Sequence, residues 1–131
     1  MSFDPQTHPH SELTEKIIGA AMAVHSALGP GLDESIYENA MCLELVYLGI
    51  NFEQQKCFPV HYRNKIVGTL ITDLIIDNKV ILELKVSGAI SDQHMAQTLS
   101  YLSITKLQTA LILNFKPASL SVKRVANIYQ K

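Results

Sequence analysis

Residues Asp73–Lys85 read DLIIDNKVILELK, and this stretch decides how the chain is put together. The Ile/Leu/Val runs on either side of Asp77-Asn78 describe two β-strands. Asx residues accept the positive φ of a tight hairpin, so a two-residue turn at 77–78 is expected between them. Asp73 falls near one end of the first strand, and Glu83-Leu84-Lys85 lies inside the second. In a strand, Glu83 and Lys85 point to one face and Leu84 to the other. Asp73 then comes opposite position 82, one residue from Glu83, and twist or a bulge has to bring the carboxylates together. Charges inside apolar strands are expensive to desolvate unless something pairs with them. A divalent cation would do so; on this stretch alone, a Glu–Lys ion pair at the surface is the plainer reading.

The 131-residue chain is long enough for one core, and 47% hydrophobic against 18% charged residues suits a folded domain. The net charge of −1 supplies no global basic field, so a nucleic-acid role would need a local patch, a metal or an oligomer. The two cysteines, Cys42 and Cys57, have no metal-ligand spacing and read as buried or half-buried free thiols. The N-terminus lacks the pattern of a secretory signal, and the first helix is too polar to span a bilayer. A cytoplasmic protein with no membrane partner is expected.

Residues 1–10, with Pro5, Pro9, His8 and His10, read as a flexible tail, and residues 11–131 as a single domain. Ser11 is the expected cap of a helix whose apolar positions include Leu13, Ile17, Ala20, Ala21, Val24 and Leu28. After Gly29-Pro30-Gly31, Asp33 caps a second helix from Glu34 to Leu48. Its expected buried stripe is Ile36, Ala40, Leu43 and Tyr47, with Glu38 and Asn39 towards solvent and Gly49 as the stop. The period then changes to two. Glu53–Tyr62, with Pro59 marking an edge or bulge, and Lys65–Ile76 are strands around an Arg63-Asn64 turn. Lys79–Val86 is a central strand. A third helix at Gln93–Thr105 carries Met95, Leu99 and Leu102 on one stripe and His94, Gln97 and Tyr101 on another; strands at Thr109–Phe115 and Leu120–Lys123 follow. The order ααβββαββ describes one α/β domain.

Three motifs now stand in order: Gly31, Glu34 and Tyr37 as G-x-x-E-x-x-Y, Asp73 with Glu83 and Lys85 as D…E-x-K, and His94, Gln97 and Tyr101 within HMAQTLSYL. Together they resemble the GxxExxY family, assigned to the PD-(D/E)XK nuclease-like superfamily, over about Leu13 to Val125. Thr72 stands where the superfamily signature has proline. The resemblance implies a restriction-endonuclease-like core, a mixed β-sheet flanked by helices.

It also implies a Mg²⁺-dependent nuclease (Mn²⁺ as the substitute ion) acting on nucleic acid, DNA more than RNA. Asp73, Glu83 and the backbone carbonyl of Leu84 would hold the ion, with Glu34 joining through water. Lys85 would orient or help deprotonate the attacking water, or stabilise the transition state. Gln97 and Tyr101 would position water or phosphate, with Tyr37 and His94 behind them. His25 reads as a hydrogen-bonded core histidine. Two rival readings stand beside this one: a nuclease-fold protein that binds nucleic acid or a partner protein without cutting, and a hydrolase of a small phosphorylated substrate. The lysines and arginines look scattered, and a homodimer through helix 1 or the Pro59 edge is one way to build a groove.

Overall fold

The computed structural model describes residues 10–127. Their elements follow the expected order: α1 (Ser11–Leu28), α2 (Glu34–Tyr47), β1 (Phe52–Tyr62), β2 (Lys65–Ile76), β3 (Val80–Lys85), α3 (Asp92–Thr105), β4 (Thr109–Asn114) and β5 (Ser121–Ala126). The expected tail, apart from His10, lies outside the described residues. No helix among these is long and apolar enough to cross a membrane.

The strands form one sheet in the order β1-β2-β3-β4-β5. Only β3 and β4 run parallel, and α3 is the crossover between them. Being covered on both faces, β3 and β4 are almost wholly buried. On one side Leu74, Ile76, Leu82, Leu84, Leu111 and Leu113 pack against Ile17 and Val24 of α1 and Tyr37, Met41 and Leu45 of α2. On the other side Ile75, Ile81, Ala110 and Ile112 meet Leu102 of α3.

Several local expectations are corrected. Ser11 is the first helical residue, not the cap; His10 occupies the cap position in a left-handed conformation, with no side-chain cap bond. In α2 the buried residues are Tyr37, Glu38, Met41 and Leu45, whereas Leu43 and Tyr47 are 73% and 83% exposed and Ile36 is exposed as well. The helix carries two apolar stripes about a quarter turn apart, and packing onto Phe115 and Leu74 selects the one led by Tyr37. In α3, Leu99 is exposed, and Thr98 and Leu102 face inward. Cys57 is an exposed free thiol and Cys42 a partly buried one.

The hairpin between β2 and β3 matters most. Ile76 pairs with Val80, so three residues connect the strands rather than two. Asp77 and Asn78 are both left-handed as expected (φ 53° and 55°), and the turn closes with the Lys79 N–H donating to the Ile76 carbonyl at 2.9 Å. Lys79 is the extra residue. The register Leu74–Leu82, Ile75–Ile81 and Ile76–Val80 extrapolates to Asp73 directly opposite Glu83. No special twist is needed to bring the carboxylates into line.

Candidate active site

Beyond Leu74–Leu82 the β2–β3 ladder stops, and the strands part at Asp73 and Glu83. The Leu84 N–H, which would otherwise bond the β2 backbone, donates to Oδ2 of Asp73 at 2.8 Å. This bond holds the Asp73 carboxylate in the fork between the strands.

A break on the other flank of β2 accompanies the fork. Gln55, facing Asp73 from β1, is left-handed with φ 53° and is missing from the ladder, whose other irregularity is a register shift between Val60 and His61. Phe52 packs with the α1/α2 core and Phe58 with the α3 core, although strand alternation would put two even-numbered positions on one face. The pleat therefore changes phase at Gln55. As a result the Gln54 and Gln55 side chains both donate to Glu38 of α2, at 2.7 Å and about 3.0–3.1 Å. These contacts bury Glu38, which its neighbours in sequence had placed towards solvent.

Glu83 is 6% exposed, and its Oε1 is buried without a hydrogen-bond partner. Burial first, then the negative charge of Asp73 and a hydrogen bond with it, push the Glu83 carboxyl up to about 9; Lys85 and the Asp73 backbone pull the other way. Two adjoining carboxylates in a dry site cannot both ionise without a cation. Lys85 is half-buried at the end of β3, and its charge lowers the carboxyls of both Glu83 and Glu34.

Glu34 approaches from the first turn of α2. Gly31 has φ 102°, a conformation that side chains rarely adopt, and it turns the chain into the helix. The Tyr37 hydroxyl donates to the Gly29 carbonyl and accepts the Leu32 N–H at 3.2 Å, while its ring stacks on Phe115 at 4.5 Å. Gly31 and Tyr37 thus fix the loop that aims Glu34. Glu34 is an exposed residue, and partial burial of its carboxyl, then Asp73, raises it. Even so, no group of three or more His, Cys, Asp or Glu side chains able to hold a metal forms among the described residues. Asp73 and Glu83 are the pair, and Glu34 stands beyond it.

On α3, Tyr101 is half-buried; burial first, then Glu83 and Asp73, raise its phenol. It therefore lies within the electrostatic reach of the pair. Gln97 is exposed one turn earlier, with no bond to the pair. His94 is occupied elsewhere: its Nδ1 accepts the Ser91 N–H, and its own N–H donates to the Ser91 Oγ, both at 3.1 Å. That capping box starts α3. His25 is a core residue, with Nε2 2.9 Å from the Pro117 carbonyl.

The residue set fits a hard divalent cation. Mg²⁺ is commonly bound by one or two carboxylates, completed by waters and substrate oxygens. Here Asp73 and Glu83 supply two carboxylates, one with an orphaned oxygen, and their mutual repulsion is the charge a cation would relieve.

A mixed sheet flanked by helices, forked at a carboxylate pair with a lysine two residues on, defines a restriction-endonuclease-like fold. A family model described as the PD-(D/E)XK nuclease superfamily matches residues 11–125, and the chain belongs to that superfamily. Among solved structures, the crystal structure of a protein designated SSO0001 matches with a TM-score of 0.51 at 16% identity, covering 88% of this chain and 78% of that one. That likeness concerns the fold alone. No curated protein matches the chain.

Proposed function

We propose that the protein is a divalent-metal-dependent nuclease that hydrolyses phosphodiester bonds of nucleic acid, with DNA favoured over RNA. The observation that carries this reading is the adjoining Asp73–Glu83 pair, with its unpartnered buried oxygen, beside Lys85. Asp73 and Glu83 would hold Mg²⁺ or Mn²⁺ with the Leu84 carbonyl, and Glu34 would join through water. When bound, the ion supplies a more acidic water and offsets charge on the phosphoryl oxygens.

The protein's own residues do the rest. The Leu84 N–H keeps Asp73 in the fork. Lys85, whose charge acts on the carboxyls of both Glu83 and Glu34, orients the attacking water and stabilises negative charge gathering on the phosphoryl group. Water oxygen bonds to phosphorus as the bond from phosphorus to the leaving sugar oxygen breaks. Tyr101 and Gln97 position water or phosphate from the α3 side.

A second reading, a nuclease-fold protein that binds without cutting, draws on one observation: among the described residues no third ligand-type side chain joins the pair. Cleavage of labelled single- and double-stranded DNA and RNA, with Mg²⁺, Mn²⁺ or EDTA, separates the two. Metal-dependent cutting should disappear in Asp73→Ala and Glu83→Ala. Equal activity in wild type and both variants would mean contamination and remove the enzyme reading.

A further inference from the structure

From Gln54 to Thr72 the chain contains no Asp or Glu but holds Lys56, His61, Arg63 and Lys65, within a protein whose net charge is −1. The fold sets Lys106 of the α3 end beside this stretch. Because β2 leaves β3 at Asp73, the outer part of the β1–β2 pair is a two-stranded ribbon with no third strand. Every residue from His61 to Thr69 is exposed. At the tip, Arg63 and Asn64 form the two-residue turn with φ 48° and 63°, and the Arg63 guanidinium sits 5.8 Å from the Tyr62 ring centre. Among the described residues the ion pairs are Lys56–Glu53 and Lys79–Asp77, so Arg63 and Lys65 remain un-neutralised.

The ribbon also flanks a cleft of about 280 Å³ against the C-terminal end of α3, where His61 faces Lys106 alongside Ser103. Lys106 follows Tyr101 by five residues, roughly 7.5 Å along the helix. The cations Lys106, Arg63 and Lys65 therefore mark a track from the carboxylate fork, across the cleft that His61 lines, to the ribbon tip. Lys65 is eight residue steps from Asp73 in β2, a reach of roughly 26 Å. At about 3.4 Å per base pair, that span corresponds to roughly eight base pairs.

We propose that the β1–β2 ribbon is an arm that grips the phosphate backbone of a nucleic-acid duplex, with Arg63 and Lys65 as its contacts about eight base pairs from the cutting site. The inference rests on the nuclease reading for the identity of the partner. Charge complementarity selects that partner: an acid-free stretch with free cations at its tip, in an otherwise acidic protein, suits a polyanion. A two-stranded ribbon also has dimensions that suit a duplex groove.

The test is metal-free binding of a labelled 30-base-pair duplex, followed by anisotropy across a salt series in EDTA. Arg63→Gln/Lys65→Gln is compared with Lys16→Gln/Lys123→Gln, which removes the same charge from exposed positions elsewhere. Loss of two phosphate contacts should lower the slope of log affinity against log salt by about 1.8 and, from equal affinity at about 1 M, weaken binding roughly sixtyfold near 0.1 M salt. The control variant should keep the wild-type slope. Equal slopes in the two variants would overturn the proposal, as would a wild type with no salt-dependent binding. Self-association through Ile66 and Val67, with duplex binding unaffected in the arm variant, would overturn it in favour of a second copy as the partner.

Cleavage assays run alongside keep the two readings distinct. An arm variant that binds poorly beside a wild type that never cuts supports the arm and removes the nuclease. A wild type that cuts, beside an arm variant that binds normally, does the reverse.

Discussion

Glu83→Gln should stabilise the metal-free protein at neutral pH, although it changes a buried residue of the site. The Glu83 carboxyl is pushed from an ordinary 4.5 to about 9 in the folded state. Any folded value above 7 means that folding at pH 7 requires this group to take up a proton that the unfolded chain has released. The contribution of a group with a raised value is fully present below its unfolded pKa and is lost as pH rises towards the folded one. At pH 7 the loss relative to acid is about 3 kcal/mol, at about 1.4 kcal/mol per pH unit above 4.5.

Glutamine is neutral at every pH, occupies the same space and lacks this loss. Urea unfolding in EDTA should show the variant and wild type nearly equal near pH 4. The variant should then pull ahead by about 3 kcal/mol at pH 7, equivalent to roughly 10 °C in Tm. Saturating Mn²⁺ should reverse the order by stabilising only the wild type. A gap that does not change with pH, or a variant less stable than wild type at pH 7 in EDTA, would mean that Glu83 is not protonated in the folded protein.

Other consequences follow from the same geometry. Asp73→Asn removes the second-ranked cause of the Glu83 shift, so Glu83 should titrate below 9 yet stay above 4.5 because burial remains; carboxyl NMR reads this directly. Tyr37→Phe deletes the hydroxyl bonds to Gly29 and Leu32. It should reduce stability by about 1–3 kcal/mol in urea unfolding, and it should lower cleavage by loosening the loop that carries Glu34. Gly31→Ala places a side chain at φ 102° and should destabilise the fold by about 1–3 kcal/mol, measured the same way. Mn²⁺ affinity by calorimetry should rise with pH, by up to about tenfold per unit below 9, because binding displaces the proton held by Glu83.

The elements were readable because their boundaries carry local signals. Gly49 stops α2, Ser91 caps α3, and the apolar runs of β3 and β4 mark strands covered on both faces. What failed was the choice between locally equivalent options. Ile36, Leu43 and Tyr47 make as good a helical stripe as Tyr37, Met41 and Leu45, and only the position of Phe115 and the sheet decides between them. Asp77-Asn78 was correctly placed as the turn between β2 and β3. The extra residue at Lys79 is set by strand pairing, and it moves Asp73 opposite Glu83.

In the site, Asp73 and Lys85 act on the carboxyls of both Glu83 and Glu34, and Glu83 and Asp73 act on the Tyr101 phenol. Gln97 stays exposed, Tyr37 holds the loop beneath Glu34, and His94 starts α3. Glu38 and Gln55 went unnoticed because their bonds join α2 to β1 across a change of pleat. Adjacent Gln54-Gln55 in a strand, with Glu38 one helical turn after Glu34, is the only sequence trace of that contact.

Asp73 and Glu83 together should hold a divalent cation. Anomalous diffraction from crystals soaked in Mn²⁺ tests it most directly. A peak should lie between the Asp73 and Glu83 carboxylates, within about 2.0–2.6 Å of an oxygen of each. No peak there at saturating Mn²⁺, or a peak that persists in Glu83→Gln, would contradict it.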